Sequence, residues 1–509
     1  MAAWSCSAKE IHVTTDTKQP TVYQMYIDGR WLGSDSGATF EVINPATEEV
    51  IATAPEASVE ELQRALQAAR TAFDEGPWPR MSQRERGRII DQIADGLEAK
   101  KEHLRALLTA EVGCAQYLMP LQLEDPIRYM RGYAELAYKH SPIEMLEPMV
   151  IQSPMGVSAT NMMVYNQPAG VVGAINTWNF PLFVLVQKLG PALATGCTMV
   201  VKTSPWAPLL NLEVAKIIEE CDLPSGVFNV ITGANVEVSQ AMVESKLVDK
   251  ISFTGSVPTG KRIAEAAARN LTRVHLELGG KSALIALDDA DFDAIGPSLA
   301  SPTFVHAGQG CALATRCLVP AAQYDKAVEK MVGFVSAVKV GDPTDPSVLL
   351  GPLIREERRS AVEAFISIGR DEGATIAAGG ARPKDLERGY FLQPTVFSDV
   401  NNNMRIAREE IFGPVQVVLP YNDIEDAVRI ANDSPFGLGG QIITKNQARG
   451  IELAKRLRTG SVMVTNGTGW AGATPFGIAP FGGFKESGIG REGGKYGLQE
   501  FSETQSIIW

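Results

Sequence analysis

The hydrophobic positions in the early part of the chain have the spacing of a hairpin and two helices. Asp28-Gly29 lies inside a short apolar run, which predicts a β-hairpin over Met25 to Trp31. Two stripes with helical spacing follow: Leu62, Leu66, Ala69 and Phe73, and then Ile89, Ile90, Ile93 and Leu97. Each stripe predicts an amphipathic helix that buries one face.

From Val171 onward, short β-rich runs alternate with helical segments. The predicted strands are Val171 to Ile175, Thr198 to Val201, Val227 to Ile231, Lys250 to Phe253 and Val274 to Leu276. Helical patterns such as Leu209 to Cys221 and Pro258 to Asn270 separate them. Alternation of this kind builds a parallel sheet with helices on both faces.

A second alternating series follows Glu277. Its predicted strands are Ala283 to Ala286, Cys317 to Pro320, Val415 to Leu419, Gln441 to Thr444 and Ser461 to Val464, with helices around Asp325 to Val338 and Arg355 to Gly369. Two α/β units predict a ligand-binding cleft between them. The segments Ile143 to Asn166 and Gly497 to Trp509 fit neither series.

Composition narrows the class of protein. A chain of 509 residues with 45% hydrophobic and 21% charged residues is typical of a globular protein with two or three domains. Its net charge of −12 argues against a nucleic-acid partner, and we expect no membrane partner because the most apolar stretch, Pro181 to Val201, contains Gln187, Lys188 and Gly190. The six cysteines form no CxxC pair, which favours free thiols and a cytoplasmic location.

Cys311 is the candidate nucleophile. It follows Gly308-Gln309-Gly310, a glycine-rich turn that can expose a thiol and leave its backbone N–H free. Most free cysteines are buried structural residues, and we interpret Cys114, Cys197, Cys221 and Cys317 in that way. His306 lies five residues earlier, and we interpret it as part of the supporting turn.

Two further side chains could act beside a cysteine nucleophile. Asn179, in Trp178-Asn179-Phe180-Pro181, follows an apolar strand, so its amide could donate to the oxygen of a tetrahedral adduct together with the Cys311 N–H. Glu277, in Glu277-Leu278-Gly279-Gly280-Lys281, ends a predicted strand, so its carboxylate could face the cleft.

The segment Gly255 to Lys261 follows a strand and opens a helix. Backbone N–H groups and the helix dipole at such a place can hold a pyrophosphate. The glycines and Lys261 are also similar to a phosphate-binding loop of ATPases, but Arg262 stands where that loop has Ser or Thr to bind Mg²⁺. A phosphotransferase therefore stays open only as a disfavoured alternative.

These motifs, with Phe253-Thr254-Gly255-Ser256 and Glu409 to Pro414, resemble the NAD(P)-dependent aldehyde dehydrogenase superfamily in residues and in order, over about Tyr26 to Phe501. The resemblance implies an α/β fold with a Rossmann-type cofactor domain (1–142 and 167–276), an α/β catalytic domain (277–496) and a small β oligomerisation arm (143–166 and 497–509) in a homodimer or homotetramer. It implies oxidation of an aldehyde to the carboxylic acid through a cysteine thiohemiacetal and a thioester.

The resemblance also implies residue roles. Cys311 is the nucleophile, Asn179 the oxyanion donor and Glu277 the base that activates water, while Lys188 and Glu492 match a proton relay. The cofactor-binding positions are Trp178, Lys202, Ser204, Gly255, Ser256, Gly260, Glu410 and Phe412. NAD is the expected cofactor and NADP is possible, because Pro205 stands where NAD-preferring relatives usually have Glu. No metal is expected.

The family's aldehyde tunnel matches Phe180, Phe183, Val305, Trp470 and Phe481. Because this set contains no Arg or Lys, an apolar or aromatic aldehyde is favoured over a carboxylate-bearing one. The glycine-rich segment Asn466 to Phe481 looks extended relative to common family members and could shape the tunnel. A semialdehyde, a betaine-type aldehyde and a non-catalytic role remain as alternatives.

Overall fold

Two large sheets dominate the computed structural model, which describes residues 20–467 and 478–509. The helices that accompany the first sheet are Val59–Asp74, Gln83–Ala99, Lys101–Val112, Asp125–Lys139, Pro181–Thr195, Leu209–Glu219, Val236–Glu244 and Val257–Ala268. The later helices are Gly296–Phe304, Tyr324–Ser336, Glu356–Asp371, Arg405–Arg408, Ile424–Asn432, Gln447–Ala454 and Gly494–Glu500.

Five parallel strands form the centre of the first, eight-stranded sheet. Their spatial order is Arg273–Glu277, Lys250–Thr254, Val171–Ile175, Thr198–Lys202 and Phe228–Ile231. Antiparallel strands extend its edges: Gly488–Ile489 at one end, and Met25–Ile27 with Arg30–Leu32 at the other. The parallel strands run outward in sequence order from Val171–Ile175, which is the Rossmann-type arrangement. Ligands bind such sheets at the carboxyl ends of the strands where the order reverses.

Both faces of this sheet are covered. Val172 and Ala174 pack into one apolar cluster with the predicted helix Gln83–Ala99, whereas Val171 packs into a second cluster with Val59–Asp74. Alternate strand residues point to opposite faces, so two clusters on one strand require helices on both sides. The two predicted amphipathic helices are confirmed. Each begins at a serine N-cap with a capping-box glutamate, which fixes its start.

The second sheet has seven strands. Their spatial order is Thr375–Ala378, Thr395–Ser398, Val415–Tyr421, Arg316–Pro320, Ala283–Ala286, Gly439–Ile443 and Ser461–Thr465. Every neighbouring pair is parallel except the first. The predicted α/β alternation is therefore present in both halves of the chain.

Three small sheets complete the fold. Thr21–Val22, Val50–Pro55 and Thr39–Ile43 form one near the start. Ile143–Met145, Met162–Pro168 and Ser502–Ile508 form another, and Met149–Ser153 pairs with Gly156–Thr160 in a hairpin. Residues 497–500 lie in the helix Gly494–Glu500, which packs on Pro181–Thr195.

The hairpin 149–160 presents apolar side chains to the surface. Met155 is 97% exposed, and Val150 and Val157 are more than half exposed. Contiguous exposed apolar surface is typical of interaction sites. Among residues 20–467 and 478–509, no helix has both the length and the apolar character needed to cross a membrane.

Candidate active site

A cavity of about 1190 Å³ lies between the carboxyl ends of the first sheet's strands and the amino ends of the second sheet's strands. Asn179, Glu277 and Cys311 all line it, although they come from three separate segments of the chain. The volume exceeds that of an ordinary pocket for one small ligand, so the cavity has room for two ligands side by side.

The turn before Cys311 has an unusual backbone. His306, Ala307 and Gly308 have φ values of 48°, 54° and 75°, a left-handed run that costs conformational energy in the two non-glycine residues. The buried side chain of Gln309 holds the turn, because its Oε1 accepts from Ile354 N at 2.9 Å and its Nε2 donates to His306 O at 3.0 Å. The Gln309 side chain therefore links the strained turn to the backbone at Ile354.

His306 supports this turn and does not contact the thiol as a base. Its ring is buried edge-on against Phe180 at 5.6 Å, and burial lowers its pKa to about 4. A ring held neutral against an aromatic side chain fits the predicted supporting role.

The Cys311 thiol is half-buried in the cavity wall. Burial raises its pKa, and the carboxyl groups of Glu277 and Glu410 raise it further. The thiol is therefore protonated at neutral pH in this state, and it needs a nearby positive charge or a proton acceptor to become a nucleophile.

The amide of Asn179 is oriented by its neighbours. Thr177 Oγ1 donates to Asn179 Oδ1 at 3.0 Å, which turns Nδ2 toward the backbone carbonyl of Gln309 at 2.8 Å. An amide nitrogen carries two N–H groups, and this bond uses one of them. The side chain thus bridges the first sheet to the cysteine turn and keeps a second donor in the wall of the cavity that Cys311 also lines.

Glu277 ends the strand Arg273–Glu277 and is 3% exposed. Neither carboxyl oxygen has a hydrogen-bond partner among the described residues. Burial raises its pKa well above the usual value, and the charge of Glu492 raises it further. An unpartnered carboxyl with a raised pKa can take up a proton near neutral pH, as a general base must.

Lys188 and Glu492 form a buried ion pair across 304 positions of sequence, with Nζ 3.0 Å from Oε1. Glu492 also lines the cavity, whereas Lys188 lies behind it in the helix Pro181–Thr195. The structure therefore brings the predicted relay pair together at the edge of the site.

The predicted cofactor residues divide into two groups. Trp178, Gly255, Ser256, Glu410 and Phe412 line the cavity. Lys202, Ser204 and Gly260 do not line it.

Two buried hydroxyls fit a bound dinucleotide. Thr254 Oγ1 and Thr203 Oγ1 lie at the carboxyl ends of Lys250–Thr254 and Thr198–Lys202, the strands on either side of Val171–Ile175, and neither has a partner among the described residues. Ser256 is the N-cap residue of the helix Val257–Ala268, but its side chain makes no hydrogen bond to the first turn of that helix. The first turn also has no acidic residue that would repel an anion.

Glu410 and Lys202 are already oriented by backbone groups. Gly280 N donates to Glu410 Oε1 at 2.9 Å, and burial raises the Glu410 pKa to about 7. Lys202 Nζ donates to the carbonyls of Gly233 and Thr203, and burial lowers its pKa to about 8. Ser204 Oγ accepts from Trp206 N at 3.2 Å and so shapes the loop through Pro205.

Close packing explains why residue 260 is a glycine. A Cβ there would lie 2.5 Å from Leu278, so glycine lets the helix Val257–Ala268 approach the segment after Glu277. Lys261 points away from the loop and pairs with Glu486 at 3.0 Å, with more than half of its side chain exposed. That geometry weakens the phosphotransferase alternative further.

Aromatic and aliphatic side chains form another part of the wall. Phe180, Phe183, Val305 and Phe481 line the cavity as predicted. Trp470 lies outside the described residues. Among residues 20–467 and 478–509, no cluster of His, Cys, Asp and Glu could hold a metal ion.

Sequence reasoning missed several lining residues. Tyr117 and Leu121 reach the cavity from a helical segment that no motif marks. Arg358 also lines it, and it donates to Ile411 O at 3.0 Å beside Glu410. His275, which does not line the cavity, was missed as well; it stands two positions before Glu277. The two-residue period of a strand could have placed it beside that carboxyl.

The chain is similar to known proteins over nearly its whole length. The sequence model of the aldehyde dehydrogenase family matches residues 31–507. Betaine aldehyde dehydrogenase of Bacillus subtilis is 37% identical over 95% of this chain and 96% of its own length, and geranial dehydrogenase of Castellaniella defragrans is 38% identical over 95% and 98%.

The chain is also similar to a solved structure. Betaine aldehyde dehydrogenase of Staphylococcus aureus, a point mutant in complex with NAD⁺ and with a mercaptoethanol-modified cysteine, is 38% identical and superposes with a TM-score of 0.90, covering 95% of each chain. The predicted fold class is confirmed, and the chain belongs to the aldehyde dehydrogenase family.

Proposed function

We propose that this protein oxidises an aldehyde to its carboxylic acid with NAD, using Cys311 as nucleophile. The observation that carries the proposal is the meeting of the Cys311 thiol, the Asn179 amide and the unpartnered Glu277 carboxyl in one cavity. These are the nucleophile, the oxyanion donor and the base that acyl transfer needs. The family of the chain supports the same reaction.

The cofactor would be held by residues on the first sheet's side of the cavity. The Ser256 helix terminus suits the pyrophosphate, and the unpartnered hydroxyls of Thr203 and Thr254 suit the polar groups of a dinucleotide. Glu410 and Phe412 suit the nicotinamide end. When bound, NAD supplies the hydride acceptor and a positive charge that favours the Cys311 thiolate. NADP is also admissible, because Pro205 places no carboxylate where a 2′-phosphate would lie.

The chain's own residues would act in sequence. The Cys311 thiol first loses its proton to water, and its sulfur then attacks the carbonyl carbon. The free N–H of Asn179 and the Cys311 backbone N–H stabilise the resulting oxyanion. After the substrate carbon is oxidised, a thioester links it to Cys311. Glu277 then takes a proton from water, the water attacks the thioester, and the carboxylic acid leaves. Glu492 and Lys188 would carry the proton away from Glu277.

The substrate is proposed to be an apolar or aromatic aldehyde. Phe180, Phe183, Val305 and Phe481 offer only apolar surface, and the cation Arg358 is engaged beside Glu410. Geranial dehydrogenase, a relative named for such an aldehyde, supports this choice. Betaine aldehyde dehydrogenase, a relative of similar identity, keeps a betaine-type aldehyde as the rival.

Domain organisation, assembly and location are proposed on the same basis. Residues 1–142 with 167–276 would form the cofactor domain, 277–496 the catalytic domain, and 143–166 with 497–509 an arm. The exposed apolar side chains of the arm suit a second copy of the chain, in a homodimer or homotetramer. Five cysteines are unpaired among the described residues, which suits the cytoplasm.

The test is a panel of aldehydes graded by chain length, aromaticity and charge, incubated with NAD⁺ while reduced nicotinamide is followed by absorbance. We expect activity with apolar or aromatic aldehydes and none in Cys311→Ala. Cys221→Ala, which removes another partly exposed thiol, is the matched control and keeps activity. Activity that survives in Cys311→Ala would overturn the proposal.

A further inference from the structure

His275 lies between the two carboxyl groups of the site. It stands two residues before Glu277 on the strand Arg273–Glu277, so both side chains leave the same face of the sheet. Its Nε2 is 3.7 Å from Glu277 Oε1, and its Nδ1 is 3.9 Å from Glu492 Oε1. The ring is 1% exposed and packs directly over the backbone of Gly490.

The surroundings of the ring favour one tautomer. Burial lowers the His275 pKa well below its usual value, and the positive charges of Lys188, Lys250 and Arg491 lower it further, so the ring is neutral. Nδ1 faces Ser252 Oγ at 3.3 Å and the Glu492 carboxylate, which is bound to Lys188. A carboxylate only accepts hydrogen bonds, so it favours the ring proton on Nδ1.

That tautomer leaves Nε2 as a lone-pair acceptor. Nε2 has no partner among the described residues, and neither oxygen of Glu277 has one. Burying two polar groups without hydrogen-bond partners costs folding free energy. Since these two groups are 3.7 Å apart, a proton on the carboxyl would let them form a hydrogen bond with each other. A small rotation of the Glu277 side chain would close the distance to a hydrogen bond.

We propose that His275 is a positioning residue whose Nε2 accepts a hydrogen bond from the protonated carboxyl of Glu277. The bond holds the carboxyl away from Cys311 at rest and stabilises its neutral form. Loss of the proton breaks the bond and frees the carboxylate to reach the deacylation water. The inference rests on the proposed function, since it assigns Glu277 to deacylation.

The proposal predicts a pH signature. Because a hydrogen bond to the neutral acid favours the neutral form, removing the acceptor lowers the pH at which Glu277 ionises. One neutral hydrogen bond corresponds to about half to one pH unit. Other charged groups that face the pair are unchanged in the variants; they are Lys188, Lys250, Arg491, Glu492 and Glu500.

The experiment acetylates Cys311 with p-nitrophenyl acetate, which needs no cofactor, and then follows the loss of the acetyl group from the enzyme against pH. His275→Asn removes the atom at the Nε2 position, and we expect the acid limb of its profile to shift to lower pH by about half to one unit. His275→Gln, whose amide oxygen reaches the Nε2 position, is expected to restore the wild-type limb. His103→Asn, an exposed histidine on the helix Lys101–Val112, is the control.

An unchanged acid limb in His275→Asn, a shift to higher pH, or a Gln variant that behaves like Asn would overturn the proposal. If His275→Asn does not fold, infrared difference spectra of the wild type between acid and neutral pH test whether the protonated Glu277 carboxyl is hydrogen-bonded. The carbonyl band that disappears in Glu277→Gln should lie at the frequency of a hydrogen-bonded carboxyl, and a free-carboxyl frequency would contradict the proposal. The infrared measurement needs no substrate, so it tests the hydrogen bond independently of the reaction. A wild-type protein that oxidises no aldehyde would refute the proposed function and not the hydrogen bond.

Discussion

Replacing Gly308 with alanine should displace the nucleophile. Gly308 has φ of 75°, and a Cβ there would lie 2.0 Å from Gly413 O and 2.5 Å from Pro414 N. Ordinary contact begins at 3.4 Å, and both obstacles are backbone atoms that cannot rotate away. The cysteine turn must therefore move by roughly an ångström or more.

The magnitude follows from that displacement. A misplacement of about 1 Å in a catalytic group typically costs about 10²-fold in rate. The alanine also adds about 1–2 kcal/mol of left-handed backbone strain. We therefore expect kcat/KM for aldehyde oxidation to fall at least about 10²-fold.

The assay is the initial rate of nicotinamide reduction, with alkylation of Cys311 by iodoacetamide as an independent readout. Gly333→Ala is the matched control, because Gly333 lies in the helix Tyr324–Ser336 with nothing within 4 Å of its added Cβ. It should keep full activity. A Gly308→Ala enzyme with the wild-type kcat/KM and alkylation rate would refute the role of the turn.

Three further outcomes are expected. Asn179→Ala should slow aldehyde oxidation by about 10²–10³ with little change in NAD⁺ affinity, as measured by single-turnover kinetics and titration; an unaltered rate would exclude its oxyanion role. Pro205→Glu should raise the ratio of NAD to NADP efficiency at least about tenfold, and a wild type without any NADP activity would show that another group discriminates. Val150→Glu, on the exposed arm, should lower the oligomeric state in light scattering, whereas an unchanged mass would place the subunit contact elsewhere.

The local architecture could be predicted from the sequence. The strands Val171–Ile175 and Ala283–Ala286 have the predicted bounds, because short runs of β-branched and small apolar residues between turn signals are specific to buried strands. The helix Asp125–Lys139 was not predicted. Its buried residues include Asp125 and Tyr129, so its apolar stripe is interrupted.

The site could be predicted only where motifs mark it. Asn179, Glu277 and Cys311 were found in this way, and their shared cavity follows from the fold. Strand spacing alone places His275 beside Glu277, but the nearness of His275 to Glu492 and the contact of Gln309 with Ile354 could not be predicted, because the chain brings these groups together from far away. The burial of Glu277 and Glu492 around the neutral ring of His275 arises only when the sheets pack, so no residue spacing in the sequence indicates it.

The central claim is that Cys311 forms the acyl-enzyme and Glu277 releases it. The most direct measurement mixes Glu277→Gln with NAD⁺ and an active aldehyde and determines the mass of the Cys311 peptide shortly after the burst of reduced nicotinamide. We expect the mass of one acyl group on that peptide, with steady turnover slowed by about 10²–10⁴. An unmodified Cys311 peptide together with wild-type turnover would contradict the account.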